Sequence, residues 1–271
     1  MTYRFSLAYL TVMDVEPPEA VRIAAETGYQ YVGLRLLPSG TEPPFAIFTD
    51  KKVYQATQQA LQDTGITVAD IEIIRLNAQF QAENTQPFLE CGAGLGAKNI
   101  LVAGDDPDLK RCADKFAEFC ELTAQYGMTA DLEFMPWTQV PNLNAAMQVI
   151  NQAQQPNAGL LIDALHFARS ATTLAEIAAI DPKLIHYVQF CDASANYEHT
   201  TEALIHTARA ERLMMGDGDI DLLGLLKAVP QDLVLSLEIP QKERSKTVAA
   251  KQRAAEALAK MTSLIERAQM T

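Results

Sequence analysis

Residues 129–163 read TADLEFMPWTQVPNLNAAMQVINQAQQPNAGLLID. The stretch begins and ends with short apolar runs, at residues 129–134 and 159–163, and each run predicts a β-strand. Residues 144–154 between them predict an α-helix. A strand, a helix and a second strand in succession are typical of one βαβ unit in a parallel sheet.

The same unit recurs along the chain. Apolar runs that predict strands begin near residues 4, 29, 67, 99, 129, 159, 184 and 233, and a predicted helix follows each of them. Runs that are apolar throughout are typical of parallel strands covered by helices on one face and by a core on the other. Eight such units in about 250 residues have the size of a (β/α)₈ TIM barrel. We predict this α/β fold as a single domain over residues 1–271.

An open, doubly wound sheet is the alternative arrangement of these units. It would favour a glycine-rich phosphate-binding turn after the first strand, and residues 9–18, YLTVMDVEPP, contain no glycine. No low-complexity linker divides the chain. The residues between 190 and 222 are predicted to form a long loop before the next helix.

The charge balance excludes some classes of function. The chain has 22 Lys and Arg against 34 Asp and Glu, which gives a formal net charge of −12. Such a protein binds polyanions poorly, because affinity for nucleic acid comes mostly from Lys and Arg on phosphates. No apolar run reaches the roughly 18 residues that span a bilayer, and residues 1–10 lack the features of a signal peptide. We therefore expect no nucleic-acid partner and no membrane partner. The cysteines form no CxxC pair and fit reduced thiols, which are typical of the cytoplasm, so we expect a cytoplasmic location.

Four successive predicted strands end on oxygen-bearing side chains, Glu133, Asp163, Gln189 and Glu238. The carboxyl ends of barrel strands meet at the face that carries active sites, so these side chains are expected to converge. Three carboxylates in one pocket repel each other, and some would be protonated unless a cation lay between them. An all-oxygen set favours Mn²⁺ or Mg²⁺ and also allows Co²⁺ or Zn²⁺, so we predict one divalent metal ion held by these four residues. Ordinary strand-end residues that are solvated or cap helices are the alternative interpretation.

Five segments, LEFMPW, IDALHFARS, VQFCDA, MGDGDIDL and LSLEIP, resemble the xylose isomerase-like TIM barrel superfamily of sugar phosphate isomerases and epimerases. The resemblance covers nearly the whole chain and is most specific between Glu133 and Glu238. It implies that the four strand-end residues bind one divalent metal ion. It also implies that Glu133 and Glu238 are the catalytic proton-transfer pair, and that His166, in the pattern D-x-x-H, contacts the substrate.

Four positions depart from the usual pattern of that family. Gln189 stands where histidine is commoner, and Cys191 stands where many members have lysine. Gly33 and Met215 replace a frequent glutamate and a frequent proline. These departures leave the metal ligands in place and concern positions that would face the substrate, so they leave its identity open.

Further substrate candidates lie near these strand ends. Arg169 and Arg212 lie in the loops after the sixth and seventh strands and suit planar anions, although each is also typical of a surface residue or an ion pair. Trp137 is the only tryptophan and follows Glu133 closely. Its ring would stack on a sugar or close the barrel mouth as a hydrophobic plug. We predict Arg169, Arg212 and Trp137, together with His166, as substrate-binding residues.

Weaker expectations concern neighbouring side chains. Arg35 and Arg75, near the ends of the second and third strands, are lesser anion candidates, and Glu72 is expected to be a buried partner of Arg75. Asp192 is expected to orient the metal ligands from outside the site. Residues 217–221 are expected to form a turn and a helix cap that fix the loop over the site.

These observations predict a divalent-metal-dependent isomerase or epimerase of a small keto sugar or hydroxy-ketone. A metal on the carbonyl and the neighbouring hydroxyl would stabilise an enediolate, and Glu133 and Glu238 would transfer the proton. A metal-dependent lyase that resembles 3-dehydroshikimate dehydratase is the alternative, because loss of a β-hydroxyl would give a dehydrated product. A carboxylate substrate would need a cation directed at the metal, whereas a neutral ketose would not.

Two other classes fit less well. A DNA repair nuclease resembling endonuclease four would need a histidine-rich cluster of several zinc ions, and the chain has 4 histidines. A non-enzymatic sugar-binding protein would not need the proton-transfer glutamates. The expected partner is therefore a small polyol or keto compound. Such barrels commonly form homo-oligomers, but no feature of the sequence fixes the number of subunits.

Overall fold

The computed structural model describes residues 3–270, and within this range eight parallel strands form a closed barrel. Each strand pairs with the next along the chain, and the eighth pairs with the first. The strands are β1 (Arg4–Leu7), β2 (Tyr31–Arg35), β3 (Thr67–Leu76), β4 (Asn99–Gly104), β5 (Thr129–Glu133), β6 (Ala158–Asp163), β7 (Tyr187–Phe190) and β8 (Val234–Leu237). The predicted (β/α)₈ barrel is confirmed.

The same residues contain eleven α-helices. They are α1 (Pro17–Thr27), α2 (Ala46–Thr49), α3 (Lys51–Thr64), α4 (Gln86–Gly94), α5 (Leu109–Ala124), α6 (Leu143–Ala153), α7 (Ala164–Arg169), α8 (Leu174–Ala178), α9 (Thr201–Ala210), α10 (Leu222–Ala228) and α11 (Ala250–Met270). At least one of these helices lies between each strand and the next, as the repeated strand–helix pattern predicts.

Both faces of the strands are buried, which explains why their sequences are apolar throughout. Ile100 and Leu160 belong to the large core that the strands share with the surrounding helices. Their neighbours Leu101 and Leu161 belong to a second, smaller cluster, which lies inside the barrel. The change of cluster from one residue to the next follows the alternation of side chains along a strand.

Local capping signals determine where several helices begin and end. The side chain of Asp50 accepts a hydrogen bond from the backbone of Lys52 at the start of α3. Gly28 and Gly65 follow α1 and α3 with φ angles of 97° and 73°, in the left-handed region that favours glycine. The predicted cap at Asp50 and the predicted ends at both glycines are confirmed.

The long loop predicted between residues 190 and 222 is wrong, because this segment contains α9. Thr200 begins that helix by accepting a hydrogen bond from the backbone of Ala203 at 3.2 Å. Asp163 begins α7 in the same way, directly at the end of β6. Sequence reasoning missed both helices, because polar residues precede α9 and because α7 has only 6 residues.

A single domain over residues 1–271 stays a prediction, since residues 1, 2 and 271 lie outside the described range. Among the described helices, none combines the length and the hydropathy that crossing a lipid bilayer requires. The cytoplasmic location stays a prediction.

Candidate metal and catalytic site

The four predicted metal ligands lie at the same end of the barrel. Glu133 and Asp163 are the last residues of β5 and β6, Gln189 lies in β7, and Glu238 directly follows β8. All four residues are at most 3% exposed. Asp163 and Gln189 are register partners on neighbouring strands. The fold therefore brings these side chains together, and their binding of a metal stays a prediction.

Glu133, Asp163 and His166 form a compact group. Among the Asp, Glu, His and Cys side chains of residues 3–270, these three offer ligand atoms that all lie within 4.8 Å of one another. His166 Nε2 is 3.7 Å from Glu133 Oε1, and His166 Nδ1 is 3.8 Å from Asp163 Oδ1. Asp163 caps α7 by accepting a hydrogen bond from the backbone of His166, which keeps the imidazole beside the carboxylates.

His166 is a neutral imidazole at pH 7. Burial lowers the pKa of His166 to about 4, although the Asp163 carboxylate acts in the opposite direction. Its Nδ1 has no hydrogen-bond partner among the described residues. A neutral imidazole in this position suits a metal ion or a substrate hydroxyl.

Arg212 binds two of the predicted metal ligands. Its Nη1 lies 2.5 Å from Asp163 Oδ2, and its Nη2 lies 2.8 Å from Glu238 Oε2. Nε donates to the carbonyl of Ala208 at 2.9 Å, and the residue is 2% exposed. The guanidinium thus bridges Asp163, in the compact group, and Glu238, and it acts as an internal counterion to both carboxylates. Its predicted binding to substrate stays a prediction.

The three carboxyl groups differ in the charge they favour. Burial and the nearby Asp163 raise the pKa of Glu133 well above its usual range. Burial also raises the pKa of Glu238 to about 7, against the effect of Arg212. Burial acts in the same direction on Asp163, but the charge and hydrogen bond of Arg212, together with His166, lower the pKa of that carboxyl. The protein supplies too little positive charge to keep all three ionised, and a divalent cation would supply the rest.

Gln189 fits a cation site for a separate reason. Its Oε1 and Nε2 are both buried, and neither atom has a hydrogen-bond partner in the described part of the chain. Leaving a buried polar group unpaired costs about 1–3 kcal/mol. An amide oxygen is a normal ligand of hard divalent cations, so the side chains present fit such a metal. The imidazole of His166 extends the fit to Zn²⁺ and Co²⁺.

A narrow cavity opens beside these groups. Its volume is about 40 Å³, which is room for a few water molecules. Its walls include Glu133, Glu238, His166 and Trp137. Trp137 packs edge-to-face on the His166 ring, with 4.9 Å between the ring centroids. A sugar-sized ligand would therefore enter only when side chains at the rim move.

Arg169 lies away from this cavity. Its Nη2 donates to the carbonyl of Ser194 at 2.5 Å, and its guanidinium carbon lies 3.6 Å from the centroid of the Tyr197 ring. Together with these residues it lines a separate surface cavity. The predicted contact of Arg169 with substrate stays a prediction.

The predicted pair of Glu72 with Arg75 is wrong. Glu72 instead binds Arg35, whose Nε donates to Glu72 Oε2 at 2.7 Å. Arg75 binds Asp105, with 2.6 Å between Nε and Oδ2. Arg35 and Glu72 are register partners on β2 and β3, a relation that spacing within one strand does not reveal.

Sequence reasoning missed Arg209 as a site residue. Arg209 lies in the last turn of α9, half-buried, three residues before Arg212. It lines the cavity with Arg35, Arg75 and Arg212. The signal that could have found it is the helical spacing of Arg209 and Arg212, which the prediction of a loop in this segment concealed.

Asp192 acts on the loop rather than on the metal ligands. Its Oδ2 accepts hydrogen bonds from the backbones of Gly216 at 2.9 Å and Gly218 at 3.0 Å, and its Oδ1 from Ile220 at 3.1 Å. Asp192 also exchanges backbone hydrogen bonds with Leu213, the residue after Arg212. Asp192 thus holds the turn beside Arg212, and Asp221 caps α10 as expected.

Most of the chain matches one known protein family. The family described as xylose isomerase-like TIM barrel matches residues 21–264. The chain belongs to this family. Inosose isomerase of Bacillus subtilis (strain 168) is 26% identical to this xylose isomerase-like barrel over 145 residues, 52% of this chain and 50% of the relative. The match therefore spans only half the length of that relative.

Solved structures share the whole fold of this xylose isomerase-like barrel. The IOLI protein, solved with a bound zinc atom, has a TM-score of 0.80 at 18% identity, covering 97% of this chain and 98% of its own. The probable 3-DHS dehydratase AsbF from Bacillus anthracis has a TM-score of 0.76 at 17% identity, covering 96% and 98%. At such low identity, these similarities show the fold alone.

Proposed function

We propose that this protein is a divalent-metal-dependent isomerase or epimerase of a small keto sugar or hydroxy-ketone. The observation that carries the proposal is the buried group of Glu133, Asp163, Gln189 and Glu238, whose charges and unpartnered amide fit a divalent cation. Membership of the xylose isomerase-like family supports an enzymatic role. The activity named for the Bacillus subtilis relative supports an isomerase.

The metal would be held by Glu133, Asp163, Gln189 and Glu238, with His166 as a further donor. When bound, it would polarise the substrate carbonyl and stabilise the negative charge that develops on the carbonyl oxygen. Carboxylate and amide oxygens favour Mn²⁺ or Mg²⁺, whereas the imidazole favours Zn²⁺ or Co²⁺. The zinc atom in the IOLI structure supports the inclusion of Zn²⁺ in any test.

Glu133 and Glu238 would transfer the proton. Both side chains line the cavity, and burial raises the pKa of each. A carboxyl group with a raised pKa exchanges protons near neutral pH, as general acid–base catalysis requires. One carboxylate takes the proton from the carbon next to the carbonyl. The other carboxyl group returns a proton to the opposite face of that carbon, which gives an epimer, or to the neighbouring carbon, which gives an isomer.

Arg212 would be a positioning residue. It holds Oδ2 of Asp163 and Oε2 of Glu238, while Asp163 Oδ1 accepts the hydrogen bond from the backbone of His166. Trp137 and His166 form part of the cavity wall. Their rings would exclude water from the reacting carbon, and a neutral His166 would accept or donate one hydrogen bond to a substrate hydroxyl.

A metal-dependent lyase is the second candidate function. The observation that favours it is the presence of Arg75 and Arg209 in the same cavity, because a dehydratase substrate with a carboxylate needs a cationic partner. The probable 3-DHS dehydratase AsbF has the same fold, which supports a lyase as the second candidate. The first proton transfer would be the same, and a β-hydroxyl would then leave.

Proton exchange in D₂O tests the proposed function even while the product is unidentified. The protein is loaded with Mn²⁺, Mg²⁺, Co²⁺ or Zn²⁺ in turn and incubated with ketoses and with 3-dehydroshikimate, and deuterium uptake is followed by mass spectrometry. We expect metal-dependent uptake at the carbon next to the carbonyl, reduced about 100-fold or more in Glu238→Gln. The exposed Arg22→Gln serves as the control. A wild-type protein that neither retains nor rebinds any of these metals would contradict the proposal.

A further inference from the structure

We propose that Arg209 and Arg75 form an anion subsite at the rim of the cavity, which binds a carboxylate or phosphate group of the substrate. The inference deepens the proposed function and rests on it, because it assumes that a hydroxy-keto compound enters the cavity. It assigns the substrate to a class, a small keto compound with a negatively charged end.

The arginines of the cavity differ in their partners. Arg35 is bound to Glu72, Arg212 to Asp163 and Glu238, and Arg75 to Asp105. The guanidinium of Arg209 has neither a hydrogen bond nor an ion pair within the described residues. Three guanidinium groups thus have carboxylate partners inside the protein, whereas the fourth has its donors available.

The surroundings of Arg209 lack a compensating charge. Burial lowers the pKa of Arg209, and the neighbouring guanidinium groups of Arg75 and Arg35 act in the same direction. Glu42 attracts it electrostatically but is exposed and lies beyond ion-pair distance. The guanidinium of Arg209, which has no ion-pair partner beside these neighbouring positive charges, would attract an anion to the cavity.

The position of Arg209 relates the subsite to the reacting groups. The end of α9 carries Ala208, whose carbonyl holds the buried Arg212, and Arg209 is the next residue. Arg209 therefore lies at the rim, in the wall of both the cavity and a neighbouring surface groove. Glu133 and Glu238 line the same cavity, so a ligand that enters when the rim side chains move would lie between the arginine and these glutamates.

The chemistry of arginine limits what this subsite would bind. A guanidinium presents planar, paired donors that match the oxygens of a carboxylate or a phosphate. A neutral ketose would leave Arg209 without an ionic partner. An anionic end would pair with Arg209, and Arg75 would add a second positive charge while keeping its own contact with Asp105.

Three hexoses test the subsite, because they share one hydroxy-ketone end and differ only at the sixth carbon. Fructose is neutral there, fructuronate carries a carboxylate, and fructose 6-phosphate carries a phosphate. Trp137 is the only tryptophan of the chain and lines the cavity, so its fluorescence reports binding directly. Each titration is run on protein whose metal content has been measured, for wild type, Arg209→Gln and the control Arg22→Gln.

We expect at least one anionic sugar to bind the wild type about tenfold or more tightly than fructose. Whichever anion binds more tightly identifies the carboxylate or the phosphate as the preferred group. Arg209→Gln should lose this preference and keep its affinity for fructose, and Arg22→Gln should keep both. Equal affinity for all three sugars in the wild type, or an unchanged preference in Arg209→Gln, would overturn the subsite and leave the metal site untouched.

Failure of the proposed function has a different signature. Wild-type protein that binds no metal contradicts the enzyme mechanism. The same sugar titrations on that metal-free protein still test whether Arg209 and Arg75 bind an anion. An anion preference that Arg209→Gln abolishes would then support the subsite, and its absence would overturn it. If Arg209→Gln does not fold by circular dichroism, Arg209→Lys replaces it, and undiminished anion affinity in that variant counts against the planar pairing proposed here.

Discussion

Asp131 and Glu133 lie two residues apart on β5 and are both buried, yet their surroundings are opposite. Asp131, nearer the amino end of the strand, accepts a hydrogen bond from Thr129 Oγ1 at 2.6 Å and lies 2.6 Å from His186 Nδ1. The carboxylate of Glu133, at the carboxyl end, accepts no hydrogen bond from any residue in the range 3–270. Its carboxylate lies 3.7 Å from His166 Nε2, beyond hydrogen-bond distance.

The difference separates a carboxylate with partners inside the protein from one that we propose to be functional. Asp131 finds its partners within the protein, so its burial needs no ligand. Glu133 has a repelling carboxylate nearby and a raised pKa, so it is buried as a neutral acid unless a cation or a substrate supplies the missing positive charge. In barrels of this kind, the amino end serves stability and the carboxyl end serves chemistry.

The largest expected effect is on activity, at the carboxyl end. Glu133→Gln keeps the shape of the side chain and removes both its charge and its basicity. We expect the turnover of the substrate to fall by about 10²–10⁴-fold, while the thermal midpoint stays the same or rises, because a buried carboxyl group is lost. Steady-state kinetics and thermal unfolding of the same preparation measure both. Near-normal turnover would remove Glu133 from the proton transfer.

The next effect is on stability, at the amino end. Gly159 packs against the Asp131–His186 pair, and a Cβ there would overlap Asp131 Oδ1 and approach His186 Nδ1 to 2.5 Å. We expect Gly159→Ala to lower the free energy of unfolding by about 1–3 kcal/mol, with unchanged turnover per folded molecule. Denaturant unfolding gives the first quantity. A variant that is fully stable but inactive would reverse the comparison.

The same pair gives a pH dependence of stability. Burial acts to lower the pKa of His186, but the hydrogen bond to Asp131, the charge of that carboxylate and a backbone hydrogen bond at Lys183 together raise the pKa. The stabilisation is therefore complete below the unfolded pKa of about 6.5 and is lost as the pH rises through the folded pKa. Asp131→Asn should remove this loss. Thermal midpoints of wild type and variant across the neutral to alkaline range measure this loss of stability. The same pH dependence in both proteins would contradict a stabilising Asp131–His186 pair.

The smallest expected effect is on stability and concerns Asp70, another buried carboxyl group inside the barrel. Neither oxygen of Asp70 has a hydrogen-bond partner among the described residues, and burial, followed by Glu72, raises its pKa well above the usual range. The Asp70 carboxyl stabilises the folded state at acid pH, and this stabilisation is lost as the pH rises through its folded pKa. Asp70→Asn should therefore raise stability at pH 7 by about 1 kcal/mol. A lower midpoint than wild type would indicate that an unseen partner stabilises the carboxylate.

The barrel was predictable because each unit carries its own local signals. An apolar run, a cap such as Asp50 and a glycine such as Gly65 determine a strand–helix unit without distant contacts. The helix α9 was not predicted, because polar residues around Thr200 resemble a loop and the helix lies outside the regular alternation. Local signals thus identify the repeated units and miss an insertion between them.

The site was predictable in position but not in contacts. The end of each apolar run placed Glu133 and Glu238 at one face, since parallel strands share their direction. The contacts of Arg212 with Asp163 and Glu238 depend on how the segment after β7 folds back, which no spacing along the chain reveals. Arg209 remained hidden for the same reason.

Metal titration by calorimetry tests the comparison most directly, because it asks which end of β5 binds a cation. Wild type, Glu133→Gln and Asp131→Asn are dialysed against chelator and titrated with Mn²⁺ and with Zn²⁺. We predict about one equivalent bound per chain in wild type and in Asp131→Asn, and binding weakened about tenfold or more in Glu133→Gln. The absence of binding to wild type, or equal binding to all three proteins, would contradict a metal site at the carboxyl end of the barrel.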